Sequence, residues 1–344
     1  MNAQLPREPF DSTKLGRDYR AVVGRNGNRY IAGAKSPRTW GQYASALRVF
    51  SKWCDERGLR STPPSADTLL AYVTDLADND YAAATIFAYL QGISTASRIA
   101  GRPIDRTPIS ETLRGIRRLA DRPRQAAPLL GEDLKALLSQ LDPKRAADAR
   151  DGAMLALGWA IAARQSELVG LDWQRRGAGQ RKGTGVLRML PDGLEVALIV
   201  SKTSQTKTVV VGVPTSEMPA ASKWLTAWLA VSEPKAGEPV FHPIDRHGII
   251  YRDRLGSIVV ADIVKRRVRQ HALAIGATPG EAAERCANFS GHSLRAGFIT
   301  TAALAGVPEW RIRNRVRHRS AEMTARYIRA IESMKDTGLK EIGF

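Results

Sequence analysis

Between Gly291 and Arg329 the chain reads GHSLRAGFITTAALAGVPEWRIRNRVRHRSAEMTARYIR, and four side chains in this stretch could act together on one phosphate. His292 and Arg295 stand three apart, His318 follows twenty-three residues after that arginine, and Tyr327 nine residues later. Ser290 followed by Gly291 is a plausible helix start. A helix beginning there puts His292 and Arg295 on one face near the positive end of its dipole, where an anion is stabilised. Ser320 can cap a further short helix that carries Tyr327 more than a turn inside it. Around a phosphate, His292, Arg295 and His318 would neutralise charge while the Tyr327 hydroxyl attacks, a chemistry that depends on charge neutralisation above all. Only histidine among these groups titrates near neutral pH, so His292 is the expected acceptor of the tyrosine's proton.

Two earlier segments carry further candidates. ALGWAIAARQSELVGLDW supplies Arg164 and Glu167, which as an exposed pair one turn apart would contribute only tenths of a kcal/mol. In a phosphate site, Glu167 would instead orient Arg164. LEVALIVSK and TKTVVVGV read as β-branched strands separated by Thr203, Ser204 and Gln205, a hairpin with Lys202 at its tip and Lys207 across the same turn.

His-x-x-Arg, then His, then Tyr, preceded by Arg-x-x-Glu and a hairpin lysine, resembles the signature of the tyrosine recombinases, the phage integrase and Cre-like family, over about residues 36–330. The resemblance implies a site-specific DNA recombinase in which Tyr327 forms a 3′-phosphotyrosine link. Arg164, Arg295 and His318 would bind the non-bridging oxygens, His292 would assist the tyrosine, and Lys202 would protonate the leaving 5′-oxygen. The family pattern favours the lysine closing the first strand; Lys207 stays open as the alternative. No cofactor is implied, neither ATP nor metal. The implied partners are a double-stranded DNA recombination site and a homo-tetramer on two duplexes, with an accessory protein as a further candidate and no membrane. Type IB topoisomerase-like relaxation and a non-catalytic architectural DNA-binding role are the alternative readings. The sequence departs from the pattern where Arg317 replaces the glycine usual before the second histidine.

The elements that must hold these residues follow from composition and periodicity. In 344 residues, 43% hydrophobic and 25% charged, there is room for two domains with soluble-protein cores. Fifty-two Lys and Arg against thirty-four Asp and Glu give +18, about +8 of it in residues 1–130 and about +10 in the rest. An excess shared in this way suits a polyanion gripped by both domains. No signal-peptide pattern and no long apolar run is seen, so a cytoplasmic, nucleoid-associated protein is expected. Cys54 and Cys286 are expected to be buried thiols in different domains.

Residues 1–35 read as a basic, disordered arm. Trp40, Tyr43, Leu47, Phe50 and Trp53 recur at helical spacing, with Arg38, Arg48 and Lys52 off that stripe. Helices over about 67–79, 82–100 and 108–120 follow, the last bearing Arg114, Arg117 and Arg118. Together, 36–120 form an expected helical core-binding domain. Residues 121–129 read as a linker, 130–329 as the catalytic domain, and 330–344 as a C-terminal segment long enough for exchange between protomers. Further helices are expected over 130–141, 148–163, 215–231 and 254–275, with Lys265, Arg266, Arg267 and Arg269 making the last a candidate DNA contact. The alternating arginines from Arg311 to Arg319 fit no single helical face and are expected to be solvated or on phosphates. The fold class is mainly α, an N-terminal helical domain followed by a mostly helical catalytic domain with a small β-sheet or hairpin.

Overall fold

The computed structural model describes residues 33–120, 126–174, 183–198, 208–325 and Tyr327. The chain divides into two compact units, Met1–Pro123 and Arg124–Phe344. The expected N-terminal arm lies almost wholly outside the described residues, as does the C-terminal segment 330–344.

The described part of the first unit has four α-helices: α1 (Pro37–Asp55), α2 (Ala66–Asp78), α3 (Ala83–Ile99) and α4 (Ser110–Leu119). Ser36 accepts a hydrogen bond from Thr39 N at 3.2 Å and Pro37 presets the first turn, so α1 starts where the pattern predicts. Its apolar stripe faces inward. Phe50 and Trp53 meet Tyr72 of α2 with ring centroids 4.8 and 5.1 Å apart, at angles that suit the ring quadrupoles. Trp53 Nε1 donates to Asp75 at 2.7 Å, so that carboxylate has an internal task. Arg38, Arg48 and Lys52 are exposed on α1, and Arg114, Arg117 and Arg118 are exposed on α4.

The second unit continues with α5 (Gly131–Ser139), α6 (Ala146–Ala160), α7 (Gln165–Val169), β1 (Leu171–Trp173), β2 (Gly185–Leu190), β3 (Gly193–Leu198) and β4 (Val209–Pro214). Then come α8 (Pro219–Ser232), α9 (Val259–Ala274), α10 (Pro279–Ala287), α11 (Ser293–Leu304) and α12 (Glu309–Val316), and the chain is helical again over 321–325. The strands form one sheet in the order β1-β2-β3-β4, with β1 parallel to β2 and the other pairs antiparallel. Val211 and Val213 of β4 are buried while Val210 is exposed, the alternation of a sheet covered on one face. The expected hairpin strands are β3 and β4, which pair antiparallel; residues 199–207 between them, with both Lys202 and Lys207, lie outside the described residues.

Helix α6 is buried from Asp148 to Gly158, so its two aspartates need internal partners. Arg267 supplies most of them, donating to Asp148 at 2.6 Å and Asp151 at 2.7 Å, and Arg266 reaches Asp151 at 2.6 Å. Asp151 also accepts from Arg150 at 2.9 Å. This corrects the expectation for α9: Arg267 is buried and Arg266 is bound to a carboxylate, so both pin α9 onto α6. Loss of one partner from such a buried set typically costs about 3–5 kcal/mol.

The end of the expected linker belongs to this unit. Ala127 N donates to Asn288 O at 2.8 Å and Leu129 N to Ser293 O at 3.0 Å. Gly297 of α11 permits the approach, since a Cβ there would lie 1.7 Å from Leu129 O. Cys54 and Cys286 are both free thiols; Cys54 is buried as expected, whereas Cys286, in the last turn of α10, is only partly so. No described helix is long and apolar enough to cross a membrane.

Candidate active site

The last carbonyls of α6 and of the turn after it have no helical partner, and they lie at the negative end of the helix dipole. Three arginines from far along the chain cover them. Arg315 donates to Ala160 O at 3.1 and 2.8 Å, Arg317 to Ile161 O at 2.9 Å, and Arg295 to Ala162 O at 2.8 Å. Arg295 also reaches Val316 O, and Arg315 reaches Gly212 O on β4 at 2.6 Å. Burial, and then the charges of Arg164 and Arg317, pull the Arg295 guanidinium down to about 9, which leaves it charged at neutral pH.

Arg164 follows directly, in extended conformation at the start of α7. The Glu167 carboxylate accepts from Arg164 N at 2.9 Å, from Arg164 Nη1 at 2.6 Å and from Arg317 Nη2 at 2.8 Å. Glu167 is buried and Arg164 nearly so, which rules out a solvated surface pair. Burial pushes the Glu167 carboxyl up, but Arg317, the Arg164 N–H and the Arg164 guanidinium outweigh it and hold the group below the usual carboxylate range.

Helix α11 begins at Ser293, later than the serine-glycine pair suggests. Ser290 instead closes a turn one step earlier: it accepts from Ser293 N at 3.0 Å through its carbonyl and from His292 N at 3.1 Å through its hydroxyl, while its own N donates to Ser293 Oγ at 2.9 Å. His292 therefore sits exposed at the helix entrance, with Arg295 buried one turn in. Gly291 has a packing role, because a Cβ there would lie 2.4 Å from the side chain of Gln165. With its amide nitrogen donating to Ser257 O at 2.9 Å, Gln165 accepts from Gly291 N at 3.3 Å and ties this turn to the residue after Arg164.

His318 follows α12 through Arg317, whose φ of 58° and ψ of 44° are left-handed. Its Nδ1 lies 2.9 Å from the hydroxyl of Thr324, a buried residue. Burial first, then Arg295, Arg164 and Arg317, pull the imidazole down to about 4, so it is neutral at pH 7. If the Thr324 hydroxyl donates, the imidazole proton is on Nε2. The Tyr327 ring stacks on His318, with centroids 6.4 Å apart and planes 22° from parallel, and packs against the cluster of Ala162, Ile299, Ile312 and Val316.

Arg164, His292, Arg295, His318 and Tyr327 line one cleft of about 440 Å³. Lys202 cannot be located, since it lies outside the described residues. Sequence reasoning missed Arg315, Arg317, Gln165 and Thr324. Arg315 and Arg317, expected to be solvated or on phosphates, bind carbonyls and Glu167 instead, because the chain leaves the helix between them. Their alternation carries no helical signal. Thr324 was legible in principle, three residues before Tyr327 and so on the same helical face. Among the described residues, no group of three or more His, Cys, Asp or Glu is placed to hold a metal ion.

Residues 128–334 match the model of the phage integrase family. An integrase/recombinase xerD homolog of Selenomonas ruminantium is 30% identical over 324 residues, covering 91% of this chain and 88% of that protein. Among solved structures, the Tn1549 transposon integrase in complex with circular intermediate DNA superposes with a TM-score of 0.57 at 16% identity, over 91% of this chain and 94% of that one. The XerH site-specific recombinase bound to a palindromic difH substrate does so with a TM-score of 0.56 at 16% identity, over 91% and 81% of the two chains. At these identities the structural matches establish a shared fold.

Proposed function

Because the chain belongs to the phage integrase family and is a site-specific tyrosine recombinase, we propose that Tyr327 is the nucleophile that cuts its DNA. The Tyr327 oxygen bonds to a backbone phosphorus as the bond to the 5′-oxygen breaks, leaving a 3′-phosphotyrosine link and a free 5′-hydroxyl. That hydroxyl then attacks the equivalent link on a partner strand. The ester conserves the energy of the broken bond, so the reaction needs no ATP.

The observation that carries this reading is the convergence of two guanidinium groups, two imidazoles and one phenol on a single cleft. Arg164 and Arg295 hold the non-bridging oxygens as cations. His318 joins them as a neutral donor. His292, at the exposed entrance of α11, takes the proton of Tyr327. Lys202 delivers a proton to the leaving 5′-oxygen. A DNA recombination site is the partner, bound by four copies of the chain on two duplexes, with the cytoplasmic nucleoid as the place of action.

The test begins with a duplex selected for binding from a random-sequence pool and then nicked at successive positions. Wild-type protein is expected to form an SDS-resistant adduct with one of these substrates. Tyr327→Phe is expected to bind the duplex equally well and form none. An adduct from the Phe variant would overturn the assignment and make Tyr251, the other tyrosine of the sequence after residue 129, the next candidate.

A further inference from the structure

Arg317 does more at this site than turn the chain. Its left-handed φ favours glycine, and a longer side chain there is strained unless its own contacts compensate. Those contacts are present. The Arg317 side chain is 7% exposed and donates to Ile161 O at 2.9 Å, Arg315 O at 2.9 Å, Ala162 O at 3.3 Å and Glu167 Oε2 at 2.8 Å.

The geometry around Glu167 gives these bonds a consequence. A carboxylate facing a guanidinium favours a fork in which both oxygens take parallel N–H donors. Here Glu167 Oε1 takes Arg164 Nη1 at 2.6 Å, whereas Oε2 is held by Arg317 Nη2 and the Arg164 main-chain N–H. Among the described residues Arg164 is thus paired through one guanidinium nitrogen, and its remaining donors are left for a ligand in the cleft it lines. Arg317 also shares the Ala162 carbonyl with Arg295, the other cation of the cleft.

We infer that Arg317 is a positioning residue: by occupying one oxygen of Glu167 and one side of the Ala162 carbonyl, it keeps Arg164 and Arg295 turned toward the phosphate without touching it. This rests on the reading of the cleft as the phosphate site. Without Arg317, Glu167 Oε2 keeps the Arg164 main-chain N–H but regains a lone pair for a second guanidinium N–H of Arg164, which withdraws a donor from the reaction, while exposed basic residues outside the cleft, such as Arg114 and Arg118, stay unchanged. The loss falls on the chemical step and spares binding.

The experiment uses the full chain and the selected nicked duplex, measuring single-turnover adduct formation, DNA affinity by gel shift and thermal midpoint. Arg317→Gly suits the backbone, and Arg317→Lys keeps the charge on one donor nitrogen. Arg317→Gly is expected to bind DNA within about twofold of wild type and to cleave about 10- to 100-fold more slowly, the scale of a small misplacement at a reacting centre. Arg317→Lys is expected to regain a large part of that rate. Wild-type cleavage by Arg317→Gly would overturn the inference. So would equal slowing in both variants accompanied by an equal fall in thermal midpoint, since Arg317 would then serve the fold alone. An adduct formed by Tyr327→Phe would instead sink the underlying reading, whatever Arg317 does.

Discussion

Replacing Glu167 by glutamine keeps the shape of the side chain and removes its charge. In the wild type that charge meets two guanidinium groups at 2.6 and 2.8 Å, with Glu167 and Arg317 both almost fully enclosed. Breaking a buried pair of this kind costs about 3–5 kcal/mol, and the retained amide oxygen puts glutamine near 3 at the lower end. For a unit of this size about 2–4 °C accompanies each kcal/mol, so the thermal midpoint should drop by about 6–12 °C. Acid gives a second check. The folded carboxyl is held below its ordinary value, so its stabilisation is fully present above the unfolded pKa of about 4.3 and is lost as pH falls through the folded value. Calorimetric scans of both proteins from pH 7 to pH 3 should therefore show a constant gap above about pH 5 that narrows in acid. A gap below about 2 °C at neutral pH, or one that widens in acid, would refute the reasoning.

His318 gives the opposite kind of titration: folded, it stays neutral to about pH 4, whereas unfolded it takes a proton near 6.5, so acid favours the unfolded chain between those values. Denaturant titrations of His318→Asn should lose that part of the pH slope. Thr324→Val removes the partner of His318 Nδ1, and should slow adduct formation at least about tenfold with DNA affinity unchanged, by freeing the imidazole's orientation. Lys202→Ala should slow cleavage of ordinary DNA by about 10²- to 10⁴-fold and recover on a substrate with a bridging 5′-sulfur, which leaves without a proton. Sulfur rescue confined to Lys207→Ala would move the acid to the second strand.

What could be read in advance was whatever repeats or belongs to a set. The stripe of Trp40, Phe50 and Trp53 fixes α1 because burial imposes the helical period, and the spacing from Arg164 to Tyr327 survives because the groups meet in one cleft. Local period cannot report a partner held by distant sequence. Arg315 and Arg317 look like solvated charge until the carbonyls that end α6 are placed beside them, and Arg267 looks like a DNA contact until Asp148 and Asp151 are found buried. Strand β1, three residues long, is too short for any alternation to register.

The arginines that cover the end of α6 also set a timetable for synthesis. Ala160 and Ile161 receive their partners from Arg315 and Arg317 only after a further 155 and 156 residues have been added. At about 5–20 residues per second, a ribosome takes on the order of 8–30 s to cover that distance. Throughout that interval the emerging polypeptide carries Arg164 and Glu167 but neither Tyr327 nor Arg317, which takes one oxygen of Glu167 in the finished fold. Long-range closure of this kind is also slow to form, so the cleft lined by Arg164 and Tyr327 is expected to close late in folding. A stalled or truncated product ending before Val316 therefore leaves the Ile161 carbonyl and one oxygen of Glu167 without the Arg317 donor that the finished chain supplies.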